Sequence, residues 1–365
     1  MVARVLARIE GCADSLAYGK GGTMSSALRV GLVGLDHWYT AVPLAEEMAK
    51  REDMTLSGIF DADGKRAEEV ARRCGVERVE TDWRALVEDG GIDAVASFVS
   101  VEQNPEVCLA AAAAGKHLMT IKPMARTLEQ AREVVAAVRR AGVTFLPAES
   151  LHRIGAQSRA LKQWLEEGRL GRLLHASFSL WAGLPQRWPG DPGPGWFADP
   201  ARTVGGAWVD HAIYHIDLMR FLLGEEVATV AGQVGNLSHP GLPVEDWGVA
   251  TLSFAGGSRA VLEDTWTAPQ GAFQQSATLV GSEGAVHLDG IRRRMLVKGN
   301  FPPFTGWVET DPPMGQREAL SHWLSAVRAE GAPVATVEDA WDNLAVCVAF
   351  YDAASTGSTR TPEKA

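Results

Sequence analysis

Leu28-Arg29-Val30-Gly31-Leu32-Val33-Gly34-Leu35-Asp36-His37-Trp38 is a short apolar run that stops at a glycine and passes into a segment of helical spacing over 41–51. A strand apolar on both faces, followed at once by a helix, is the unit from which parallel sheets with crossover helices are built. The unit recurs. Apolar runs at 54–61, 94–99, 117–120 and 143–147 alternate with an Ala/Glu/Arg helix through Arg73, a helical turn at 83–88, and helices at 106–114 and 128–141. This alternation predicts an α/β, doubly wound parallel sheet over residues 28–148.

After residue 149 the pattern changes. A helix over 158–167 leads to 173–181, where apolar and polar residues begin to alternate at period two. A Pro/Gly-rich loop over 184–195 and a helix over 210–223 follow, then strand-like runs at 227–236, 248–254, 260–267, 276–280, 285–288 and 295–298. Turns such as Ala255-Gly256-Gly257-Ser258 and Gly281-Ser282-Glu283-Gly284 separate several of them in the manner of hairpins. Helices at 317–329 and 337–354 close the chain. Residues 149–365 are expected to form an α+β domain with a large, mostly antiparallel sheet.

At 365 residues the chain suffices for two cores. A net charge of −10 argues against nucleic-acid binding, which needs a concentrated Lys/Arg face; the longest basic cluster, Arg292-Arg293-Arg294, reads as a solvated turn. Cys12, Cys74, Cys108 and Cys347 lie far apart without a C-x-x-C pair, which disfavours zinc and disulfide frameworks and suits a reducing, cytoplasmic setting. No apolar run is long enough to span a membrane. Residues 1–23 mix charged with apolar residues and lack the apolar stretch of a secretory signal. Residues 1–27 are expected to be an extension outside the fold, with translation starting at Met24.

A dinucleotide-binding turn needs one glycine for the tight bend and a second where backbone approaches the pyrophosphate. Gly34 fills the first role, but Asp36 and Tyr39 occupy the next two positions of the fingerprint. A carboxylate beside a pyrophosphate is unfavourable unless it turns away, and Asp36 is expected to turn toward the amides of the first helix as its N-cap. Gly31, Gly34, Asp36 and His37 are the candidate cofactor-binding residues of this loop. The second strand ends at Asp61, where a carboxylate can accept hydrogen bonds from both hydroxyls of an adenosine ribose and repel a 2′-phosphate. That favours a Rossmann domain binding NAD over NADP. The competing reading is that Asp61 or Asp63 merely caps the second helix.

At Gly115-Lys116-His117-Leu118-Met119-Thr120-Ile121-Lys122-Pro123-Met124-Ala125-Arg126-Thr127 the chain resembles the Gfo/Idh/MocA oxidoreductases, with Ile121 where that family has glutamate. A second match is Gly205-Gly206-Ala207-Trp208-Val209-Asp210, leading to Tyr214, Asp217 and Leu222-Leu223-Gly224; Ala212 replaces a family glycine. The family loop T-P-N-x-x-H reads Val99-Ser100-Val101-Glu102-Gln103-Asn104 here. Weaker echoes are Arg153, Leu170-Gly171-Arg172 and Ser355-Thr356-Gly357. The resemblance runs from Leu28 to Gly357 in order. It implies a Rossmann domain, a sheet domain that makes a homodimer or homotetramer, and NAD(P)-dependent hydride transfer on a sugar or cyclitol.

The resemblance places Lys122 against both the nicotinamide and the substrate hydroxyl. A lysine partly desolvated beside a nicotinamide cation has a lowered pKa and can accept a proton; a surface lysine at a strand end is the plainer alternative. Asp210, Tyr214 and Asp217 recur at i, i+4 and i+7 on one helical face. Tyr214 stands where many relatives have an acid–base histidine and sugar oxidoreductases have tyrosine, with Asp210 orienting substrate or lysine. His215 is the competing acid–base assignment. His211 and His215 also have the spacing of a helical metal pair, but no metal is assigned, because such pairs more often serve as core or solvent partners. Trp181, Trp188, Trp196, Trp208, Trp247 and Trp266 cluster around the same region, as sugar-stacking rings or as an aromatic core or interface.

Three functional classes follow. The leading one is an NAD-dependent dehydrogenase or reductase acting on a sugar-like CH–OH group. The others are an NAD-assisted lyase or glycosidase, and a non-catalytic binding protein whose cofactor motifs have degraded.

Overall fold

The computed structural model describes residues 26–269, 271–292, 294–310 and 317–364, so the expected start at Met24 lies outside the described residues. The first half runs β1 (Leu28–Val33), α1 (Trp38–Met48), β2 (Met54–Phe60), α2 (Gly64–Cys74), β3 (Val79–Glu80), α3 (Arg84–Val87), β4 (Ala94–Ser97), α4 (Asn104–Ala113), β5 (His117–Thr120), α5 (Leu128–Ala141) and β6 (Phe145–Pro147). Its six strands lie in the order β3-β2-β1-β4-β5-β6, and every pair is parallel. This is the doubly wound Rossmann arrangement, with its crevice where the order reverses between β1 and β4. Strands β1 and β4 are apolar on both faces because helices cover both.

The second half runs through a 3-10 segment (Ala148–Ile154), α6 (Ala156–Glu166), β7 (Leu173–Trp181) and α7 (Ala207–Leu223). Strands β8 (Val227–Gly235), β9 (Trp247–Phe254), β10 (Arg259–Thr265), β11 (Gln274–Gly281), β12 (Ala285–Asp289), β13 (Arg294–Lys298) and β14 (Val308–Thr310) follow, and then α8 (Arg317–Val327) and α9 (Val337–Thr356). The eight-stranded sheet has the order β14-β13-β12-β11-β7-β10-β9-β8. Its pairs are antiparallel except β7 with β10. Both predicted sheets are therefore present. The three residues of β14 were not foreseen, because they carry too short a pattern to show a period.

One face of the larger sheet packs on α7, where Phe178, Leu252 and Leu262 share a buried cluster with Trp208, Ile213 and Ile216. Its other face is open, with Trp181 47 % and Val261 40 % exposed. Helix α9 joins the two halves. Its Trp341 and Leu344 lie in one core with Val107 of α4 and Val134 of α5, while Cys347 and Phe350 belong to the core of the larger sheet.

Candidate active site

Three pieces of backbone converge on the crevice: the loop after β1, the turn after β5 and the first turns of α7. Each is fixed by its own sequence. Gly34 has φ +87°, and a Cβ there would come within 2.7 Å of the Val99 amide nitrogen, so the bend after β1 presses directly against the loop after β4. Gly31, by contrast, packs against Leu86 and Ile92, and its role visible here is to let α3 approach β1.

Asp61 accepts the Leu35 amide at 2.7 Å and the Asp63 amide at 2.9 Å, while Asp63 caps α2 by accepting the Lys65 amide at 3.1 Å. The two readings of this acidic pair are thus divided between the residues: Asp63 caps, and Asp61 faces the glycine loop. Asp36 departs from expectation. The N-cap of α1 is His37, which makes no side-chain cap bond, and the Asp36 carboxylate instead accepts the Ser100 amide at 2.8 Å. Burial, and next the repulsion of Asp61, push the Asp36 carboxyl up to about 6, against the pull of the Ser100 amide. With Asp36 turned to Ser100, the first amides of α1 have no acidic or hydroxyl cap, which suits a phosphate.

His37 is buried among Trp196, 5.0 Å away centroid to centroid, and Phe197, at 5.7 Å. Its Nδ1 has no partner. Burial first, then the Lys122 charge, lower its pKa to about 3, so the imidazole is neutral. The uncapped α1 amides, the glycine bend, the unpartnered His37 nitrogen and the Asp61 carboxylate form a donor and acceptor set that fits a dinucleotide.

The turn after β5 is tied down by Asn104. Its Oδ1 accepts Ser97 Oγ at 2.8 Å and Thr120 Oγ1 at 2.9 Å, and its Nδ2 donates to the Met124 carbonyl at 2.8 Å. Asn104 joins the ends of β4 and β5 to the segment carrying Lys122, which precedes a cis Pro123. Ile121, at the family's glutamate position, is buried in the core.

The start of α7 is held with equal care. Glu245 accepts the Gly206 amide at 2.9 Å, the Trp208 amide at 3.2 Å and the Tyr351 hydroxyl at 2.6 Å. A Cβ on Gly205 would overlap the Tyr351 hydroxyl, and one on Gly206 would overlap the Glu245 carbonyl, which explains the paired glycines.

These supports bring Lys122 and Asp210 together. Lys122 is 3 % exposed; its Nζ donates to Asp210 Oδ1 at 2.7 Å and to the Asp210 carbonyl, and sits 5.1 Å from the Tyr214 ring centroid. Asp210 Oδ2 accepts Trp266 Nε1 at 3.2 Å. Burial opposes the Lys122 charge most strongly, yet Asp210, Tyr214 and Tyr39 together outweigh it and hold the lysine pKa above its ordinary value. Burial likewise opposes ionisation of Asp210, but Lys122 and then His211 hold that carboxyl well below its usual range. The lowered lysine pKa expected from desolvation is therefore reversed, because the counter-ion comes with the burial. Burial raises the Tyr214 phenol and Lys122 offsets only part of it.

His215 and Asp217 of α7 point elsewhere. His215 is 2 % exposed, stacks on Phe178 at 4.7 Å, and has Nε2 3.1 Å from Gln275 Nε2 and Nδ1 3.7 Å from Asp264 Oδ2. It belongs to the sheet side of the helix and not to the Lys122 cleft. Asp217 accepts Ser150 Oγ at 2.8 Å, Arg153 Nε at 2.7 Å and Asn343 Nδ2 at 2.9 Å, a junction that fastens α7 to the 3-10 segment and α9. His211 Nε2 lies 3.5 Å from Asp210 Oδ2.

Of the tryptophans, Trp196 and Trp266 line the cleft with His37, Val101, Lys122 and Asp210. Trp208 is core, stacked on Phe350 at 3.6 Å. Sequence reasoning gave no role to Asn104, Glu245 or Tyr351; only Asn104, at a motif position, carried a local signal.

Comparison with known proteins matches both halves of the chain. Residues 28–149 match the oxidoreductase family with an NAD-binding Rossmann fold, and residues 158–287 match the GFO/IDH/MocA C-terminal domain. The chain is 30 % identical to 1,5-anhydro-D-fructose reductase of Ensifer adhaerens over 82 % of its own length and 88 % of that protein's. It is 26 % identical to scyllo-inositol 2-dehydrogenase (NAD(+)) of Bacillus subtilis, covering 78 % of this chain and 82 % of that one. The solved structure of a levoglucosan dehydrogenase with NADH and L-sorbose superposes with a TM-score of 0.81 at 23 % identity, covering 93 % of this chain and all of that one. With both halves matched in order, the chain belongs to the Gfo/Idh/MocA family of NAD-binding oxidoreductases.

Proposed function

We propose that this protein is an NAD-dependent dehydrogenase or reductase that interconverts a hydroxyl and a carbonyl on a sugar or cyclitol. In this reading residues 28–148 bind the nucleotide and residues 149–365 the substrate. The observation that carries it is the buried Lys122–Asp210 pair at 2.7 Å with Tyr214 under the ammonium, at the mouth of a nucleotide crevice. When bound, the nicotinamide supplies or accepts the hydride.

The chain's own residues handle the oxygen. The Lys122 ammonium donates a hydrogen bond to the substrate oxygen as negative charge grows there. Asp210 keeps that ammonium charged and aimed, and Trp266 fixes Asp210. Tyr214, held protonated by burial, delivers its phenolic proton to the nascent alkoxide when a carbonyl is reduced, and the tyrosinate so formed beside the Lys122 ammonium takes the hydroxyl proton in the reverse direction. Trp196 and Trp266 line the cleft beside the pair. Gly34, Asp36, His37 and Asp61 serve the nucleotide, with Asp61 on the adenosine ribose.

The test is a panel of sugars and cyclitols with NAD, followed by NADH absorbance. Tight NAD that co-purifies and never accumulates as NADH would instead indicate the lyase or glycosidase class.

The exposed Trp181 and Val261 on the open sheet face support a homodimer or homotetramer through it; light scattering after gel filtration checks it. Cys74, Cys108 and Cys347 stand as free thiols, which supports a cytoplasmic setting.

A further inference from the structure

Arg66 stands beside Asp61 at the junction of β2 and α2. It is 7 % exposed, and its charge reaches both Asp61 and Asp36, offsetting part of the rise that burial imposes on each carboxyl. In dinucleotide-binding domains an arginine near the end of the second strand is the group that accommodates a 2′-phosphate. Its planar fork of donors suits that anion. A free Arg66 would attract the phosphate that Asp61 repels.

Arg66 is engaged by three side chains. Its Nη2 donates to Asp191 Oδ2 at 2.6 Å, its Nε lies 3.5 Å from Asp63 Oδ2, and its guanidinium sits 5.3 Å from the Trp188 ring centroid. Asp191 and Trp188 both belong to the Pro/Gly-rich segment between β7 and α7, in the other half of the chain. That segment is anchored on α1, where Trp38 Nε1 donates to the Gln186 carbonyl at 2.9 Å and the Trp38 ring meets Trp188 edge-on at 6.4 Å. Asp191 is held in turn by its amide on the Trp188 carbonyl at 3.0 Å and by Arg187 Nε at 3.1 Å. The junction thus sets the carboxylates of Asp61, Asp63 and Asp191 against the guanidiniums of Arg66 and Arg187, with an indole across Arg66.

We propose that Asp191 is a specificity-determining residue, whose carboxylate withholds Arg66 from a 2′-phosphate, so that the substrate half of the chain enforces the choice of NAD over NADP. The proposal rests on Asp61 being the ribose acceptor. It assigns to a segment distant in sequence a discrimination usually sought in the β2–α2 junction alone.

Fluorescence titration of NADH and NADPH into wild type, Asp191→Ala, Asp191→Glu and the Asp191→Ala/Arg66→Ala double variant tests it. The expected result is a fall on the order of tenfold in Kd(NADPH)/Kd(NADH) for Asp191→Ala. Asp191→Glu should keep the wild-type ratio, and the double variant should return toward it. An unchanged ratio in Asp191→Ala, with NADH still bound, overturns the assignment, as does an NADPH gain that survives loss of Arg66. Wild type that binds neither nucleotide overturns the reading of Asp61 and the proposal with it.

Discussion

Lys122 Nζ lies 2.7 Å from Asp210 Oδ1, although Lys122 stands in the turn after β5 and Asp210 on α7, in different halves of the chain. The pair is buried and mutually charged. Its function and its stability are therefore coupled, since removing one partner leaves the other unpaired.

Lys122→Met should lower kcat by at least about 10²-fold while leaving NADH affinity within a few-fold. It should also cost on the order of 3 kcal/mol of stability, because Asp210 keeps a buried charge. The double variant Lys122→Met/Asp210→Asn should recover part of the melting temperature and none of the turnover. Steady-state kinetics and calorimetry on the same samples separate the two effects.

Trp266→Phe keeps most of the ring and deletes the N–H that meets Asp210 Oδ2 at 3.2 Å. A lost hydrogen bond to a charged group costs about 1.5 kcal/mol of stability, and with Asp210 less firmly held kcat/KM should fall on the order of tenfold. Unaltered kcat/KM would mean that the indole only packs.

Gly206→Ala should destabilise the fold by about 2 kcal/mol or more, since the added methyl meets the Glu245 carbonyl. Gly64→Ala is the matched control: nothing lies within 4 Å of its Cβ position, and the change should stay within about 0.5 kcal/mol. Denaturant melts of the two variants give the comparison directly.

Glu149 gives a pH signature. Burial first, then the Asp217 charge, raise its carboxyl from 4.5 to about 8, so the folded state holds a proton that the unfolded state releases. Stability contributed by this group is greatest below 4.5 and declines as pH rises toward about 8. Glu149→Gln should flatten that decline and raise stability at the alkaline end by on the order of 2 kcal/mol. Melting temperatures across this window that match wild type would show that Glu149 keeps no such proton.

The elements of the fold were legible in the sequence because each carries its own period. The β1, β5, α5 and β7 bounds read from the pattern agree with the structure. Helix α1 begins three residues earlier than expected, at Trp38, because the glycine bend hands the chain to the helix without an intervening loop. The family assignment was legible too, from the Lys122-Pro123 turn and the Gly205–Asp210 run.

What sequence could not supply was direction. Asp36 had a capping residue's chemistry, but which amide it meets depends on where the β4 loop passes. The sign of the Lys122 shift depended on a counter-ion more than eighty positions away. His215 and Tyr214 are adjacent in sequence, and only the packing of α7 on the sheet tells which one faces the cleft.

Helix α9 has a consequence for the order of synthesis. A ribosome that has delivered residues 28–148 has released every strand of the parallel sheet and nothing of the helix whose Trp341 and Leu344 cover α4 and α5. The nucleotide-binding half, first to emerge, keeps an open apolar flank until translation is almost complete. Its final closure is set by the end of the chain, so a nascent or truncated chain is most exposed to chaperones and aggregation where the finished protein is most firmly joined.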